Sequence, residues 1–340
     1  MTVVAGVEET ADEALLRGVS EVHRLGAEMV RAMGFGGVCP GGRAVAIPRG
    51  VPFSLVEGAP CHSGEVAGVN LTGVRGCEPT IYETNAGAFV SLIEDSHARR
   101  VAVTGISAEG LWADPGQQAA ETFRQAESAL GLVGMTFRDV YRTWLFLDDI
   151  LSWYDDLNRV RSQFFHDRGV FDGMVPASTG IGAANPRGAA ITMDLLAMVP
   201  LDDTVSVQAI PSPLQCPALE YGSSFSRAVE VTEPDLRSLL VSGTASIEPG
   251  GGTIYGDDVV AQVDRTLDVI EAILTSRDMD WGDVTRAVAY FRYAADAGAI
   301  DEPWRNRGGH RDRLIVTEST ICRDDLLFEL EIDAVRVGVR

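Results

Sequence analysis

The chain has 340 residues, 46% of them hydrophobic and 23% charged, with a formal net charge of −21 at pH 7. That is length enough for two domains. The charge excludes a nucleic-acid partner, which needs a basic surface, and disfavours an anionic membrane. Every basic side chain apart from histidine is arginine, so an anionic substrate would need a local island of arginine in an acidic molecule. Residues 1–18 show no basic start followed by an apolar run, so no signal peptide is expected. No apolar run approaches the ~18–20 residues of a membrane span. Cys39, Cys61, Cys77, Cys216 and Cys322 are odd in number and far apart. They read as free thiols in a reducing cytoplasm rather than disulfides or zinc ligands. No His/Cys cluster and no glycine-rich phosphate loop after a strand is present, so neither a metal nor a nucleotide cofactor is expected.

In chain order, Thr10–Ala32 carries apolar residues at helical spacing (Leu15, Val19, Val22, Leu25, Met29, Val30) and reads as one helix. Gly34–Gly76 is rich in Gly and Pro, with strand-like pieces at Ala44–Ile47 and Val66–Leu71. Residues 1–77 therefore read as an ordered extension.

From about residue 78 the chain repeats itself. A strand at Arg100–Ile106 matches one at Ser238–Ile247. The turns Asp114-Pro115-Gly116 and Glu248-Pro249-Gly250 precede amphipathic helices at Ala119–Leu132 and Val259–Leu274. A second pair of strands follows, Tyr141–Leu147 and Thr285–Arg292. Next comes a clear helix at Ser152–Arg168, answered by a shorter, degenerate stretch at Asp301–Arg313. The closing strands include Ala190–Met198 and Phe328–Val335. The offset of ~140 residues suits two ordinary domains, 78–205 and 206–340. Each copy reads as α+β, a mixed sheet with two helices on one face. The other face must be buried elsewhere, and the sister domain is the natural cover.

In Phe328-Glu329-Leu330-Glu331-Ile332-Asp333 the apolar and acidic residues alternate, so one face is apolar and the other carries three carboxylates. Against water such a row is ordinary, and the residues alone favour that reading. Under a covering domain at least one carboxyl would be desolvated, keep its proton near neutral pH, and become a general acid.

The order of elements, the Ser242–Ser246 loop, the Asp283–Tyr290 strand and the final strand resemble the RidA/YjgF family of small chorismate-mutase-like α+β domains. Two such copies behind an N-terminal extension resemble the chorismatases. The stretches Val175–Pro186, Cys216–Ala228, Val241–Ile247 and Cys322–Asp333 are similar to that family's own motifs. The resemblance spans roughly residues 60–340. It implies cleavage of the enolpyruvyl ether of chorismate to pyruvate, without metal or organic cofactor. It also implies that the catalytic acid is a Glu of the last strand, which Glu329 matches. Thr192 stands at the corresponding place of the first copy, so one working site per chain is expected.

Chorismate is a dianion, and arginine grips carboxylates through its planar fork. Arg142, on a strand otherwise core-like, either lines a site or pairs with a buried acid. Arg227 follows the segment in which the family resemblance places a pocket tyrosine, here Tyr221, whose bland reading is a half-buried core aromatic. Cys322 lies near Glu329. By the resemblance, a Cys there marks the subtype that forms 3-hydroxybenzoate, although a lone buried Cys is usually a small hydrophobe. Ala245 is the candidate for a second subtype position and leans the other way, toward hydrolysis to a trans-dihydroxycyclohexadiene carboxylate. The reading follows Cys322: a 3-hydroxybenzoate-forming lyase of secondary metabolism, with the hydrolase as alternative. A non-catalytic RidA-like binder or imine deaminase is the alternative of another class. The deaminase would need an Arg before the last strand, where Thr317–Thr320 has none. Two fused copies can supply what neighbouring subunits supply in a trimer, which makes a monomer compatible with the fold.

Overall fold

A computed structural model describes residues 1–6, 9–37, 50–61, 66–108 and 114–338. Three sheets share the chain. The first is built from β1 (Thr2–Val4), β2 (Glu28–Gly36), β3 (Phe53–Glu57) and β5 (Val66–Val74), in the order β1-β5-β2-β3, with α1 (Ala11–Arg24) between β1 and β2. Thr10 and Glu13 close a capping box at the start of α1, satisfying amides the first turn leaves free. The helix expected to run to Ala32 stops at Arg24. Gly26 takes φ +69, a left-handed turn open to glycine, and Met29 and Val30 enter β2 instead. Helical spacing alone could not separate the two elements, because a buried strand is also apolar. The piece expected at Ala44–Ile47, and Cys39, lie outside the described residues.

The second sheet is six-stranded: β6 (Thr80–Glu83), β7 (Phe89–Glu94), β8 (Ala98–Ile106), β9 (Val140–Leu147), β10 (Ala177–Gly182) and β11 (Ile191–Pro200), in the order β10-β9-β11-β8-β7-β6. Helix α2 (Pro115–Gly131) starts at Asp114, whose carboxylate accepts the Gln117 amide at 2.8 Å. It packs on β8 and β11 and against α3 (Ile150–Asp167). The third sheet takes the last third of the chain. It holds β12 (Ser206–Ile210), β13 (Ala228–Thr232), β14 (Leu236–Ala245), β15 (Val284–Phe291), β16 (Leu314–Glu318) and β17 (Phe328–Val337), with the short β4 (Ala59–Pro60) at its edge. Helix α4 (Val259–Ser276) lies on β14 and β17, and only α5 (Asp301–Asn306) answers α3.

The three sheets are variations on one unit. In each, a strand and a helix lead into a strand that pairs antiparallel with the unit's last strand and parallel with the one between: β2 with β5 and β3, β9 with β11 and β10, β15 with β17 and β16. The N-terminal extension thus carries its own four-stranded sheet and core, in which Leu15, Val22, Val69 and Leu71 are buried.

The helix-facing sides of the second and third sheets bury separate cores, including Phe328, Leu330 and Ile332 of β17. The opposite faces meet. Met33 and Phe35 of β2, Trp144 and Phe146 of β9, and Val288 and Tyr290 of β15 join one cluster. Phe35 sits edge-on to Phe146 and to Tyr290 with ring centroids 6.2 and 6.1 Å apart. The acidic face of β17 is covered here: Glu329 and Glu331 are both buried, while Asp333 is half-buried.

Candidate active site

A cleft opens between the second and third sheets, with about 530 Å³ of empty space counting its open mouth. Main-chain contacts seam its sides. The Gly182 amide donates to the Thr320 carbonyl at 2.7 Å, and the Ser226 amide to the Pro176 carbonyl at 3.0 Å.

Glu329 and Glu331 stand two residues apart on the same strand face and have opposite surroundings. Glu331 is fully buried and accepts hydrogen bonds from Arg142 Nη2 at 2.6 Å, Trp144 Nε1 at 2.9 Å and Tyr290 Oη at 3.2 Å, besides Thr179 Oγ1 and Arg286 Nη2. Burial pushes its pKa up, but Arg286 and Arg142 outweigh burial and hold it at about 2. It is an ionised rivet between the second and third sheets.

The Glu329 carboxyl has no hydrogen-bond partner among the described residues; the residue is 4% exposed and lines the cleft. Burial first, and the Glu331 charge second, raise its pKa to about 8; Arg142 opposes them. At neutral pH its carboxyl keeps its proton. Two carboxyls pushed apart in this way give one fixed charge and one acid. Room for the acid comes from Gly243 of β14: a Cβ there would collide with Glu329 Oε1. The Gly243 amide donates to Thr179 Oγ1 at 3.0 Å, which fixes this close approach.

Of the residues singled out by sequence, Glu329, Cys322, Tyr221, Arg227 and Ala245 all line the cleft. Ala245 pairs directly with Glu329 across β14 and β17. The Cys322 thiol is pushed up to about 12 by burial and by Glu329, so it is a neutral wall and not a thiolate. Arg227 spends Nε and Nη2 on the Cys216 carbonyl at 3.0 and 2.9 Å and lies over the Tyr221 ring at 5.3 Å.

Arg142 is corrected. It is fully buried, bound to Glu331 and Thr179, and stacked 4.4 Å from the Trp144 ring. It does not line the cleft. Of its two readings the paired one holds, because Glu331, unassigned by sequence, sits opposite it. Thr192 pairs with Phe146 as Glu329 pairs with Tyr290, so it occupies the acid's place in the second sheet.

Sequence reasoning missed Arg161, Arg323 and Tyr154, which also line the cleft. Arg161 is 3% exposed, donates to Asn158 Oδ1 at 2.6 Å and leaves Nε without a partner. Arg323 donates to the Gly251 carbonyl at 2.8 Å. Among the described residues neither these two nor Arg227 forms an ion pair with a carboxylate. They make the island of positive charge that a −21 chain needs to hold an anion. Arg161 had a signal: it falls on the buried stripe of α3 with Leu157 and Phe164, where an arginine is out of pattern.

Comparison with known proteins fits this arrangement. No family model matches the chain. A chorismatase of Streptomyces rapamycinicus is 27% identical, with 79% of this chain and 90% of the relative covered. A 3-hydroxybenzoate synthase of Streptomyces hygroscopicus is 27% identical over 57% of this chain and 63% of the relative. A chorismatase crystal structure shares the fold, with a TM-score of 0.70 at 21% identity, covering 90% of this chain and 92% of the other. The fold and cleft define the class, an α+β protein of repeated strand–helix–strand units with a buried acid between two of its sheets. In sequence the chain is similar to chorismatases and to a 3-hydroxybenzoate synthase, and it shares its fold with a chorismatase. Among the described residues no helix is long and apolar enough to cross a membrane.

Proposed function

We propose that the protein cleaves the enolpyruvyl ether of chorismate and releases pyruvate, with Glu329 as the catalytic acid. The observation that carries this reading is the unpartnered, buried Glu329 carboxyl, with its pKa raised to about 8, facing a cleft ringed by Arg161, Arg227 and Arg323. The three guanidinium groups hold the dianion's carboxylates. Glu329 delivers its proton to the enolpyruvyl methylene carbon, which becomes a methyl group. The adjoining ether carbon becomes an oxocarbenium-like centre, and the ring C–O bond gains a good leaving group. Fixed Glu331 lies two residues away on the same face and stabilises positive charge developing near the acid. Proton donation at carbon is helped by a donor whose pKa lies near the working pH.

The proposed product partner is 3-hydroxybenzoate, supported by Cys322 beside the acid. Together 3-hydroxybenzoate and pyruvate are isomeric with chorismate, so no water enters. Ala245, opposite Glu329, favours the second reading, hydrolysis, in which one water is taken up. The proposal includes residues 78–205 and 206–340 as the two domains that bound the cleft, a monomeric chain, and a cytoplasmic setting that keeps Cys61, Cys77, Cys216 and Cys322 as free thiols.

The test is incubation with chorismate and no additive, following pyruvate by a coupled assay and the ring product by chromatography. Pyruvate with an aromatic hydroxybenzoate supports the lyase. Pyruvate with a non-aromatic diol transfers the reading to the hydrolase. Absence of pyruvate removes the chorismate reading and favours a RidA-like binder.

A further inference from the structure

The three sheets meet around a second cavity, larger than the cleft, with about 1030 Å³ of empty space counting its mouth. Its walls combine Arg31 of β2, Tyr141 and Trp144 of β9, Leu196 and Met198 of β11, and Leu240 of β14. The repeat explains why a charge gathers here. In each unit the strand register slips just before one arginine: between Met29 and Arg31, between Val140 and Arg142, and between Val284 and Arg286. The three arginines are therefore equivalent. Their guanidinium carbons lie 4.0, 4.4 and 5.4 Å from the Trp144 ring centre.

The residue two positions further along each arginine strand faces a polar partner on the unit's last strand: Met33 faces Asn70, Trp144 faces Asp194 and Val288 faces Glu331. Glu331 takes both Arg142 and Arg286. Asp194 commits its Oδ1 to Ser54 Oγ at 2.6 Å and the Gly105 amide at 2.8 Å, its Oδ2 keeping no partner, and forms no ion pair with Arg31. The third place holds an uncharged Asn. The wall carboxylates reach other arginines: Asp333 Oδ2 lies 3.5 Å from Arg286, with Oδ1 left without a partner, and Glu233 pairs with Arg100. Arg31 is left with no hydrogen bond and no ion pair among the described residues, although it is 95% buried (5% exposed). Burial first, and the neighbouring Arg286 charge, lower its pKa against the opposing charges of Asp194, Asp333 and Glu331. The Asn70 side-chain nitrogen is likewise buried without a partner.

A buried, unpaired guanidinium opening into a cavity asks for an anion. We propose that this central cavity is a second, non-catalytic binding site for a small organic carboxylate, its anionic end on Arg31 and its apolar body against Leu196, Met198 and Leu240. The carboxylate accepts the fork of Arg31, and Asn70 supplies a further donor. The site stands independently of the chorismate reading, since it shares no lining residue with the cleft.

The experiment titrates benzoate, and separately inorganic phosphate, at constant ionic strength into the full chain and into Arg31→Met, Ser238→Asp and Arg161→Met, following calorimetric heat and thermal midpoint. Benzoate should bind the wild-type chain and raise its midpoint. Arg31→Met should weaken that binding by about tenfold or more, the scale of a lost charge-assisted hydrogen bond. Ser238→Asp adds a carboxylate to the same cavity wall and should weaken it too, whereas the cleft variant Arg161→Met should keep the response. With no anion present, Arg31→Met should be at least as stable as the wild type, because it removes a desolvated cation. Binding of phosphate without benzoate would overturn the carboxylate class. A benzoate response left unchanged by Arg31→Met in the Arg161→Met background, or an Arg31→Met protein that is less stable in anion-free buffer, would overturn the site and make Arg31 a structural partner of Trp144.

Discussion

Glu329→Gln separates the acid from its surroundings, because it keeps the shape beside Gly243 and removes only the ability to ionise. The wild-type carboxyl has its pKa raised from 4.5 to about 8, chiefly by burial. A raised folded-state pKa means that the unfolded chain gives up the proton first. The stability linked to that proton is full below about pH 4.5 and is lost as pH rises toward 8. At pH 7 the wild type has forgone about 3 kcal/mol on this account, taking ~1.4 kcal/mol per pH unit between 4.5 and 7. Glutamine has nothing to ionise, so the variant should gain stability at pH 7–8 and little at pH 5. For a chain of this length ~3 kcal/mol corresponds to roughly 4 °C in melting temperature. The same variant should lose pyruvate release by at least about 100-fold, the usual lower scale for a general acid. Paired melting curves at pH 5 and pH 8, with a coupled pyruvate assay, read both effects. A melting temperature that falls at pH 8 would refute the argument, since it would mean that the carboxylate was ionised and bonded. Retained turnover would refute the acid role while leaving the burial argument standing.

Three further outcomes follow from the same geometry. Turnover should fall with a single proton's loss as pH passes through about 8, read from kcat/KM against pH; a profile flat from pH 6 to 10 contradicts it. Glu331→Gln should destabilise by about 3–5 kcal/mol, because it strands Arg142 and Arg286 in the interior. A loss under ~1 kcal/mol in urea unfolding would show that the rivet carries little. In that variant the Glu329 pKa should also drop, since a negative neighbour is removed, and the descending limb of the pH profile should move to lower pH. Cys322→Ala should shift the ring product from hydroxybenzoate toward the non-aromatic diol with pyruvate release kept, read by chromatography; an unchanged product ratio would remove Cys322 from product control.

Much of the candidate site is legible in the sequence. The period-two alternation of β17 put Phe328, Leu330 and Ile332 on one side and the carboxyls on the other, since strand geometry leaves no other choice. The repeat showed that the outer face of one sheet needed a cover, and the cover is the second sheet. The family motifs led to Glu329, Cys322, Tyr221, Arg227 and Ala245, which do converge on one cleft. Local patterning also located most helices and strands. It failed at Met29 and Val30, where an apolar run fits helix and buried strand equally and only Gly26 separates them.

What the tertiary structure alone decided is which charges are paired. Arg142 and Arg161 look alike in sequence, each an arginine in an apolar setting. One is spent on Glu331, 189 residues away along the chain, and the other faces the cleft without a carboxylate. Glu329 and Glu331 are the same residue type two positions apart, yet one is held near pKa 8 and the other near 2. A pKa depends on burial and on charges brought within a few ångströms by distant segments, and no local pattern encodes those distances. The chain by itself determined that a row of acids would sit on one strand face. Which of them keeps its proton was settled only when the sheets closed over that face.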